Sequence, residues 1–247
     1  MILLKISKII LYNEPTVPEI QLEKLQKFLI ETFPIQIEIR ENIFSDASNE
    51  VLEKIANSKI FDLKKPFEKQ NKDITENTEM TLYDGFEFHK IITELIPINE
   101  NKIDTLHIIF TNKLTCTFDE SDFRYHARAL IGSNPSIIST TGMIEAPAKP
   151  KQYYLDLMTN FSEERIEEIE KNYKGQFLEE HDSRLSGIAE GYLLQAIMYY
   201  ETGDAFCEDI KCRLFNAHWQ KELFHSQIDN KKLCKKHLDI LNKFKQS

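Results

Sequence analysis

Strand-like and helix-like spacings of apolar residues alternate along the first half of the chain. Strictly alternating or short apolar runs predict strands with at least one buried face. These predicted strands cover residues 1–12, 35–40, 106–110 and 114–118. Apolar positions recurring every three or four residues predict helices. These predicted helices cover residues 15–33, 49–58 and 82–95. The polar, lysine-rich stretch 62–80 predicts an exposed excursion between ordered parts.

Helical spacing dominates the second half of the chain. The predicted helices cover residues 162–172, 183–201, 214–228 and 235–245. The stretch 184–201 keeps apolar spacing over nearly its whole length, which is typical of a helix buried inside a domain. The sequence therefore predicts a single α/β (α+β) domain over 1–247. A mixed, twisted sheet with helices fills 1–145, the long buried helix packs across it, and 146–247 form a helical C-terminal part.

Composition and charge narrow the classes of function. The chain has 247 residues, 41% of them hydrophobic, which is ordinary for a globular protein. Its net charge of -9 disfavours nucleic-acid binding, because phosphate contacts need a basic surface. The apolar start is interrupted by Lys5 and Lys8, so neither a membrane span nor a signal peptide is predicted. We expect a cytoplasmic protein whose four cysteines are thiols or metal ligands.

Three cysteines and one histidine near the C-terminus carry the most specific signal. Cys207, Cys212, Cys234 and His237 follow the spacing C-x4-C-x21-C-x2-H. Two close pairs about twenty residues apart are typical of tetrahedral zinc sites, and four protein ligands make such a site structural. The alternative is three buried apolar cysteines beside a surface histidine. The sequence favours a structural Zn²⁺ that would fix the last helix to the turn at Gly203.

This stretch resembles the C-terminal half of the archaemetzincins. In those zinc metallopeptidases the motif H-E-x-x-H-x-x-G-x-x-H runs into C-x4-C-x-M and a later C-x2-C pair. Aligning Gly203 and Cys207 matches the glycine and the cysteines, while His237 replaces the last cysteine and Leu214 the methionine. The catalytic positions are occupied by other residues, namely Ala196, Ile197, Tyr200 and Phe206. The chain also resembles an archaeal family classed with the metallopeptidases, on the stretches 124–128 and 145–150.

The resemblance implies a metzincin-like fold and a substrate cleft. It also implies that the peptidase reaction cannot run at the matching positions, because alanine, isoleucine and phenylalanine offer no metal-binding lone pair. The leading hypothesis is an archaemetzincin-related protein that has lost the catalytic zinc motif, keeps the structural zinc and binds a peptide or small anionic ligand. One alternative is an active hydrolase with a rearranged metal site that recruits His126, Glu145, His218 or Glu222. A non-catalytic interaction scaffold is the other.

A polar cluster ahead of the long helix is the candidate ligand site. Arg124, His126 and Arg128 alternate along a predicted strand, which places them on one face. The resemblance implies that this strand borders the cleft. The cluster predicted from this region is Asp119, Arg124, His126, Arg128, Ser136, Ser139 and Glu145. Arginine and histidine on one face suit a carboxylate or phosphate. A solvated strand face with local ion pairs explains the pattern equally well.

A second group of polar residues follows the first cysteine pair. His218, Glu222 and His225 share one face if residues 214–228 are helical, and Asn216 lies beside them. They could bind a metal, although a solvent-exposed helix face flanked by buried neighbours is the favoured interpretation. Cys116 lies in a predicted strand and is most simply a packed core thiol.

Overall fold

The computed structural model describes residues 5–71, 80–159 and 162–245. The strands are β1 (Lys8–Tyr12), β2 (Gln36–Arg40), β3 (Lys59–Ile60), β4 (Leu82–Asp84), β5 (Thr105–Thr111), β6 (Leu114–Asp119), β7 (Arg124–Arg128), β8 (Leu130–Ile131) and β9 (Ser136–Ser139). The α-helices are α1 (Leu22–Thr32), α2 (Asn49–Asn57), α3 (Gly85–Leu95), α4 (Thr140–Glu145), α5 (Lys151–Thr159), α6 (Glu163–Tyr173), α7 (Leu185–Thr202), α8 (Gln220–Phe224) and α9 (Lys235–Phe244). The predicted mixed α/β class is confirmed.

The main sheet has the strand order β2-β1-β5-β9-β8. Strand β1 pairs in parallel with both β2 and β5, and β9 continues the parallel arrangement next to β5. The short edge strand β8 is antiparallel to β9. All seven residues of β5 are buried, as expected for a central strand covered on both faces.

The prediction of one sheet is wrong, because β3, β4, β6 and β7 form a second sheet in the order β3-β4-β6-β7. Asn112 and Lys113, which join β5 to β6, do not form a hairpin turn within one sheet. Strand β5 already has β1 and β9 on its two sides, so it has no free edge to which β6 could bond. The chain therefore crosses at these two residues from the main sheet to the second sheet.

Helices cover the two faces of the main sheet. On one face α1 and α7 share a core with strand residues such as Ile9, Leu106 and Ile138. On the other face Phe88, Ile91 and Ile92 of α3 pack against the opposite side of the same strands. The prediction that the long helix is buried is confirmed, since most α7 side chains from Leu185 to Met198 are buried. Gly203, with φ of 85°, ends α7 in the left-handed conformation that glycine adopts without strain.

Three predicted helices are shorter than their apolar spacing suggested. The first begins at Leu22 rather than near Pro15, and residues 82–84 are a strand that precedes α3. The helix predicted over 214–228 starts only at Gln220 and continues as a π-helical turn over His225–Asn230. The backbone before it makes bridges instead, between Cys207 and Phe215 and between Ala148 and Trp219. Within the predicted excursion 62–80, residues 72–79 lie outside the described part of the chain.

Two histidines, the buried His107 and the half-buried His89, give the fold a predictable dependence on pH. Burial lowers the pKa of His107, whose Nδ1 lies 3.0 Å from the Tyr12 hydroxyl. Burial also lowers the pKa of His89, whose Nε2 has no partner among the described residues. Both groups bind a proton more readily in the unfolded chain, where the pKa is about 6.5. Stability is therefore complete above that pH and falls as the solution is acidified, by at most about 1.4 kcal/mol per pH unit for each histidine.

Urea unfolding at several pH values checks this expectation. We expect His89→Leu to reduce the loss of stability between neutral and mildly acidic pH, because one low-pKa group is removed. His218→Leu is the matched control, since His218 is exposed. Equal pH dependence in the wild-type protein and in His89→Leu would contradict the assignment.

Candidate metal centre and cleft

Cys207, Cys212, Cys234 and His237 converge at the C-terminal end of the fold. Their sulfur and nitrogen ligand atoms all lie within 4.8 Å of one another. Cys207 and Cys212 belong to the loop after α7. Cys234 is the N-cap of α9, and His237 lies in the first turn of that helix. Cys212 and His237 are buried, whereas the other two are half-buried.

The separations fit one tetrahedral zinc ion. Zinc–sulfur bonds of about 2.3 Å and zinc–nitrogen bonds of about 2.0 Å require S···S and S···N distances of about 3.8 Å and 3.5 Å. The Cys207 and Cys234 Sγ atoms are 3.9 Å apart, and Cys212 Sγ is 3.5 Å from His237 Nδ1. Cys234 Sγ lies 3.1 Å from the same nitrogen, closer than in an ideal tetrahedron, so this pair would move slightly apart around an ion. Three thiols and one imidazole also match the ligand types that zinc prefers.

The electrostatics of the four groups differ from one to the next. Burial raises the pKa of the Cys212 thiol to about 12, so Cys212 is protonated at neutral pH without a cation. Burial opposes ionisation of Cys234 as well. Hydrogen bonds from the His237 N–H, from the Cys212 and Cys207 thiols and from the Lys236 N–H nevertheless leave its pKa lowered overall. Burial lowers the pKa of His237 and keeps the imidazole in the neutral form that binds metals.

A cleft of about 320 Å³ lies between the edge strand β8, helix α7 and the loop that carries the first two cysteines. Residues 129–132 form the wall on the sheet side. Tyr192 and Tyr199, two turns apart on α7, form the opposite wall together with Phe206. The Tyr199 ring packs so closely on Gly132 that an added Cβ would lie 2.8 Å from a ring carbon.

The residues at the four metzincin-like positions are placed in different surroundings. Ala196 and Ile197 are completely buried in the core shared with the main sheet. Tyr200 donates a hydrogen bond from its hydroxyl to the Ile103 carbonyl, 2.8 Å away. Phe206 lines the cleft. Among the described residues, those lining the cleft include one imidazole, that of His218, and no thiol or carboxylate, so this donor set does not fit a catalytic zinc.

The predicted polar cluster is only partly assembled. Arg124, His126 and Arg128 do alternate along β7, but only Arg128 lines the cleft. Its Nε donates to Thr117 Oγ1 at 2.7 Å. Arg124 Nε and His126 Nε2 both contact the Asp122 carboxylate, at 2.7 Å and 2.9 Å. This strand face therefore carries the local ion pairs that were the alternative to a ligand site.

Other members of the cluster have structural partners. The prediction that Ser139 binds a ligand is wrong, because this side chain is fully buried, caps α4 by accepting from Gly142 N–H and donates to the Lys113 carbonyl. Ser136, also buried, donates to the Ser133 carbonyl. Glu145 forms an ion pair with Lys149 at 3.6 Å and does not line the cleft. Side-chain hydroxyls that cap helices cannot be told from ligand-binding ones by sequence spacing alone.

The second predicted group does not share a helix face. His218 precedes α8, and Glu222 Oε2 accepts hydrogen bonds from the backbone N–H groups of His218 and Trp219. Glu222 thus caps the N-terminus of α8, so its carboxylate is already engaged and is not free to bind a metal. His225 begins the π-helical turn. Of this group, Asn216 and His218 line the cleft.

The sequence did not indicate that Tyr199 and Gly132 line the cleft. Nor did it indicate the role of Asp122, which lies in the loop between β6 and β7. Asp119, Asp122 and His126 bring their ligand atoms within 4.8 Å of one another. Hydrogen bonds from His126 and Arg124 help lower the pKa of Asp122, which is therefore already engaged. The i, i+7 spacing of Tyr192 and Tyr199 is the sequence signal that could have identified the helical wall.

Comparisons with known proteins relate the chain to peptidases. A profile of the family described as "Probable metallopeptidase family (DUF6775)" matches residues 5–244. A zinc-dependent peptidase from Methanocorpusculum labreanum is similar with a TM-score of 0.47 and 12% identity, covering 95% of this chain and 100% of that one. Archaemetzincin from Methanopyrus kandleri has a TM-score of 0.43 and 8% identity, covering 98% and 97%. No curated protein matches. No helix in the described ranges has the length and apolar character needed to cross a membrane.

Proposed function

The chain belongs to the probable metallopeptidase family, and we propose that it is a non-catalytic member that holds one structural zinc and binds an extended peptide. The cleft between β8 and α7 would receive the peptide. The observation that carries this proposal is the contrast between two places in one fold. A complete four-ligand cluster lies beyond α7, while the cleft wall on α7 is formed by tyrosines without metal ligands.

Zinc would be held by Cys207, Cys212, Cys234 and His237. Four protein ligands leave no position for a substrate, so the ion would supply stability and no chemistry on a peptide bond. It would tie α9 to the loop that begins at Cys207. That loop also contributes Asn216 and His218 to the cleft, so the cluster would set the position of one cleft wall.

The sheet edge offers backbone groups to a peptide. In the β8–β9 ladder, Ala129 O accepts from Ser139 N–H, and Leu130 is the next pair along, opposite Ile138. Hydrogen-bonded and non-bonded pairs alternate in antiparallel sheets, so the Leu130 N–H and C=O point away from β9. They face the side of the sheet edge where the cleft lies. An extended peptide could add a strand there, with its side chains against Tyr192 and Tyr199.

Two polar side chains in the cleft could bind a carboxylate of such a peptide. Arg128 and His218 line the cleft near the sheet edge and the metal-bound loop, respectively. A guanidinium held by Thr117 is well suited to a carboxylate, either of a peptide C-terminus or of an acidic side chain. A small anionic ligand would use the same two residues.

Peptide binding can be tested with a fluorescein-labelled pool of random octapeptides. Leu130→Pro removes the outward N–H, and Leu130→Ala is the matched control that removes only the side chain. We expect anisotropy to show binding to the wild-type protein, with Leu130→Pro at least about tenfold weaker than Leu130→Ala. Equal affinity of the two variants, or metal-dependent cleavage of the pool, would contradict the proposal.

A metal-dependent hydrolase is the second candidate, favoured by the grouping of Asp119, Asp122 and His126. Two carboxylates and an imidazole could hold a divalent ion with open positions. Against it, Asp122 is occupied by Arg124 and His126, and none of the three lines the cleft. Hydrolysis of the pool that disappears in Asp122→Asn would favour this candidate over the first.

A further inference from the structure

A second cavity, of about 480 Å³, opens where three parallel strands of the main sheet end. Its lining includes Thr16 after β1, Asn112 and Lys113 after β5, and Thr140 and Thr141 after β9. It shares no lining residue with the cleft between β8 and α7. We call it the switch-point cavity.

The connections of β1 and β5 explain why a crevice forms here. From β1 the chain leaves through α1, on one face of the sheet, to reach β2 on one side. It returns through α3, on the opposite face, to reach β5 on the other side of β1. From the carboxyl end of β5 the chain passes through Asn112 and Lys113 into β6 of the second sheet, and later reaches β9 on the side of β5 away from β1. The segments that leave the carboxyl ends of β1 and β5 therefore diverge. Open α/β sheets bind ligands in the crevice at such a reversal of strand order.

A buried carboxylate fixes the two strand ends that border the crevice. Glu14 is only 4% exposed. Its Oε2 accepts from the Asn112 N–H at 3.0 Å, and its Oε1 accepts from the N–H and the hydroxyl of Thr16. Both walls are thus held in place before any ligand arrives, which lowers the cost of ordering on binding.

The polar groups of the lining define a ligand. Lys113 is half-buried, its ammonium lies 5.6 Å from the Phe44 ring centroid, and it takes part in none of the ion pairs among the described residues. Thr141 donates its hydroxyl proton to the Asn112 carbonyl at 2.6 Å, and Thr140 donates to the Thr111 carbonyl. Their hydroxyl oxygens therefore remain as acceptors.

We propose that the switch-point cavity binds a small hydroxylated anion, a carboxylate or a phosphate, with Lys113 as its counter-charge. The side-chain amide of Asn112 would donate to the anionic group, and Thr141 Oγ1 would accept from a ligand hydroxyl. Glu180 and His181 also line the cavity, and His181 Nδ1 lies 3.1 Å from Glu19. The site is independent of the peptide cleft, so either function can fail without the other.

Calorimetric titration with glycerol 3-phosphate and with glycerate tests the site and distinguishes the two anions. We expect at least one of them to bind saturably with a Kd below about 1 mM. Lys113→Met should weaken it at least about tenfold, as expected for a lost charge-assisted contact, whereas Lys113→Arg should retain it. Lys151→Met, at an exposed lysine on α5, is the control and should bind as the wild type does.

A second variant keeps the test decisive if Lys113→Met does not fold. Thr141→Val should weaken glycerol 3-phosphate and leave the affinity for inorganic phosphate unchanged, because only the hydroxyl contact is lost. The proposal is overturned if neither hydroxylated anion saturates by about 10 mM. It is equally overturned if folded Lys113→Met binds like the wild type, or if uncharged glycerol binds as well as glycerol 3-phosphate. Peptide binding by folded Lys113→Met should be unchanged.

Discussion

Removal of the metal by a chelator should lower the Tm of the protein by about 8 to 16 °C. An ion present at a thousandfold excess over its Kd adds about 4 kcal/mol to the free energy of unfolding. At this chain length each kcal/mol corresponds to about 2 to 4 °C in Tm. The loss should begin at the C-terminal end. There the ion would join the Cys207 loop to α9, and Cys212 would become a buried thiol with no cation beside it.

Elemental analysis of purified protein is the direct measurement. We expect about one zinc per chain in the wild type, and its loss in Cys212→Ala. Cys116→Ala is the matched control, because Cys116 is equally buried but lies in the second sheet. It should retain the metal. Two metals per chain would contradict the non-catalytic proposal. Wild-type protein without metal after expression with added zinc would contradict the structural zinc itself.

The convergence of the three cysteines and His237 could be predicted from sequence for a physical reason. Two of the four lie five residues apart in one loop, and the other two lie three apart at the start of α9. Each pair is therefore close by local geometry, and folding has only to bring two short segments together. The long buried helix α7 was predictable for a similar reason, since its apolar character is continuous along the chain.

The cleft was less predictable than the four-ligand group, because its residues come from many separated segments. Spacing correctly placed Arg124, His126 and Arg128 on one strand but could not show that Asp122 turns back to bind two of them. It could not show that Ser139 caps α4. Nor could it reveal two sheets, since that division depends on β5 having both edges occupied. The single-domain boundary and cytoplasmic location stay predictions.

Gln220→Leu should destabilise the protein by about 3 to 5 kcal/mol, because buried groups that lose a partner cost about 1 to 3 kcal/mol each. Gln220 is completely buried at the start of α8. Its Oε1 accepts from Leu178 N–H at 3.1 Å, and its Nε2 donates to the Ile144 carbonyl at 2.8 Å and to the Met143 carbonyl at 3.2 Å. Leucine has a similar volume but satisfies none of these groups, so packing is kept while the hydrogen bonds are lost.

The Gln220 side chain also positions a wall of the cleft, so Gln220→Leu should affect peptide binding as well as stability. The Gln220 Nε2 donates to the Pro147 carbonyl at 3.4 Å, and Pro147 lines the cleft. Next to this contact, the Gln220 N–H donates to the Ala148 carbonyl and the Ala148 N–H donates to the His218 carbonyl, which holds the same segment beside His218. We expect Gln220→Leu to weaken octapeptide binding even at temperatures where the variant is fully folded. Urea unfolding and anisotropy on the same sample separate the two effects.

Gln176→Leu is the matched control, since Gln176 is exposed and should change stability by no more than about 0.5 kcal/mol. If Gln220→Leu were as stable as this control, the buried hydrogen bonds would contribute little and the wall would be held by apolar packing alone. If it were unstable but bound peptide normally when folded, the cleft would depend on the metal-bound loop and not on the bridge at Ala148. We expect loss of both stability and peptide binding, because one amide bonds four backbone groups in two separate segments of the chain.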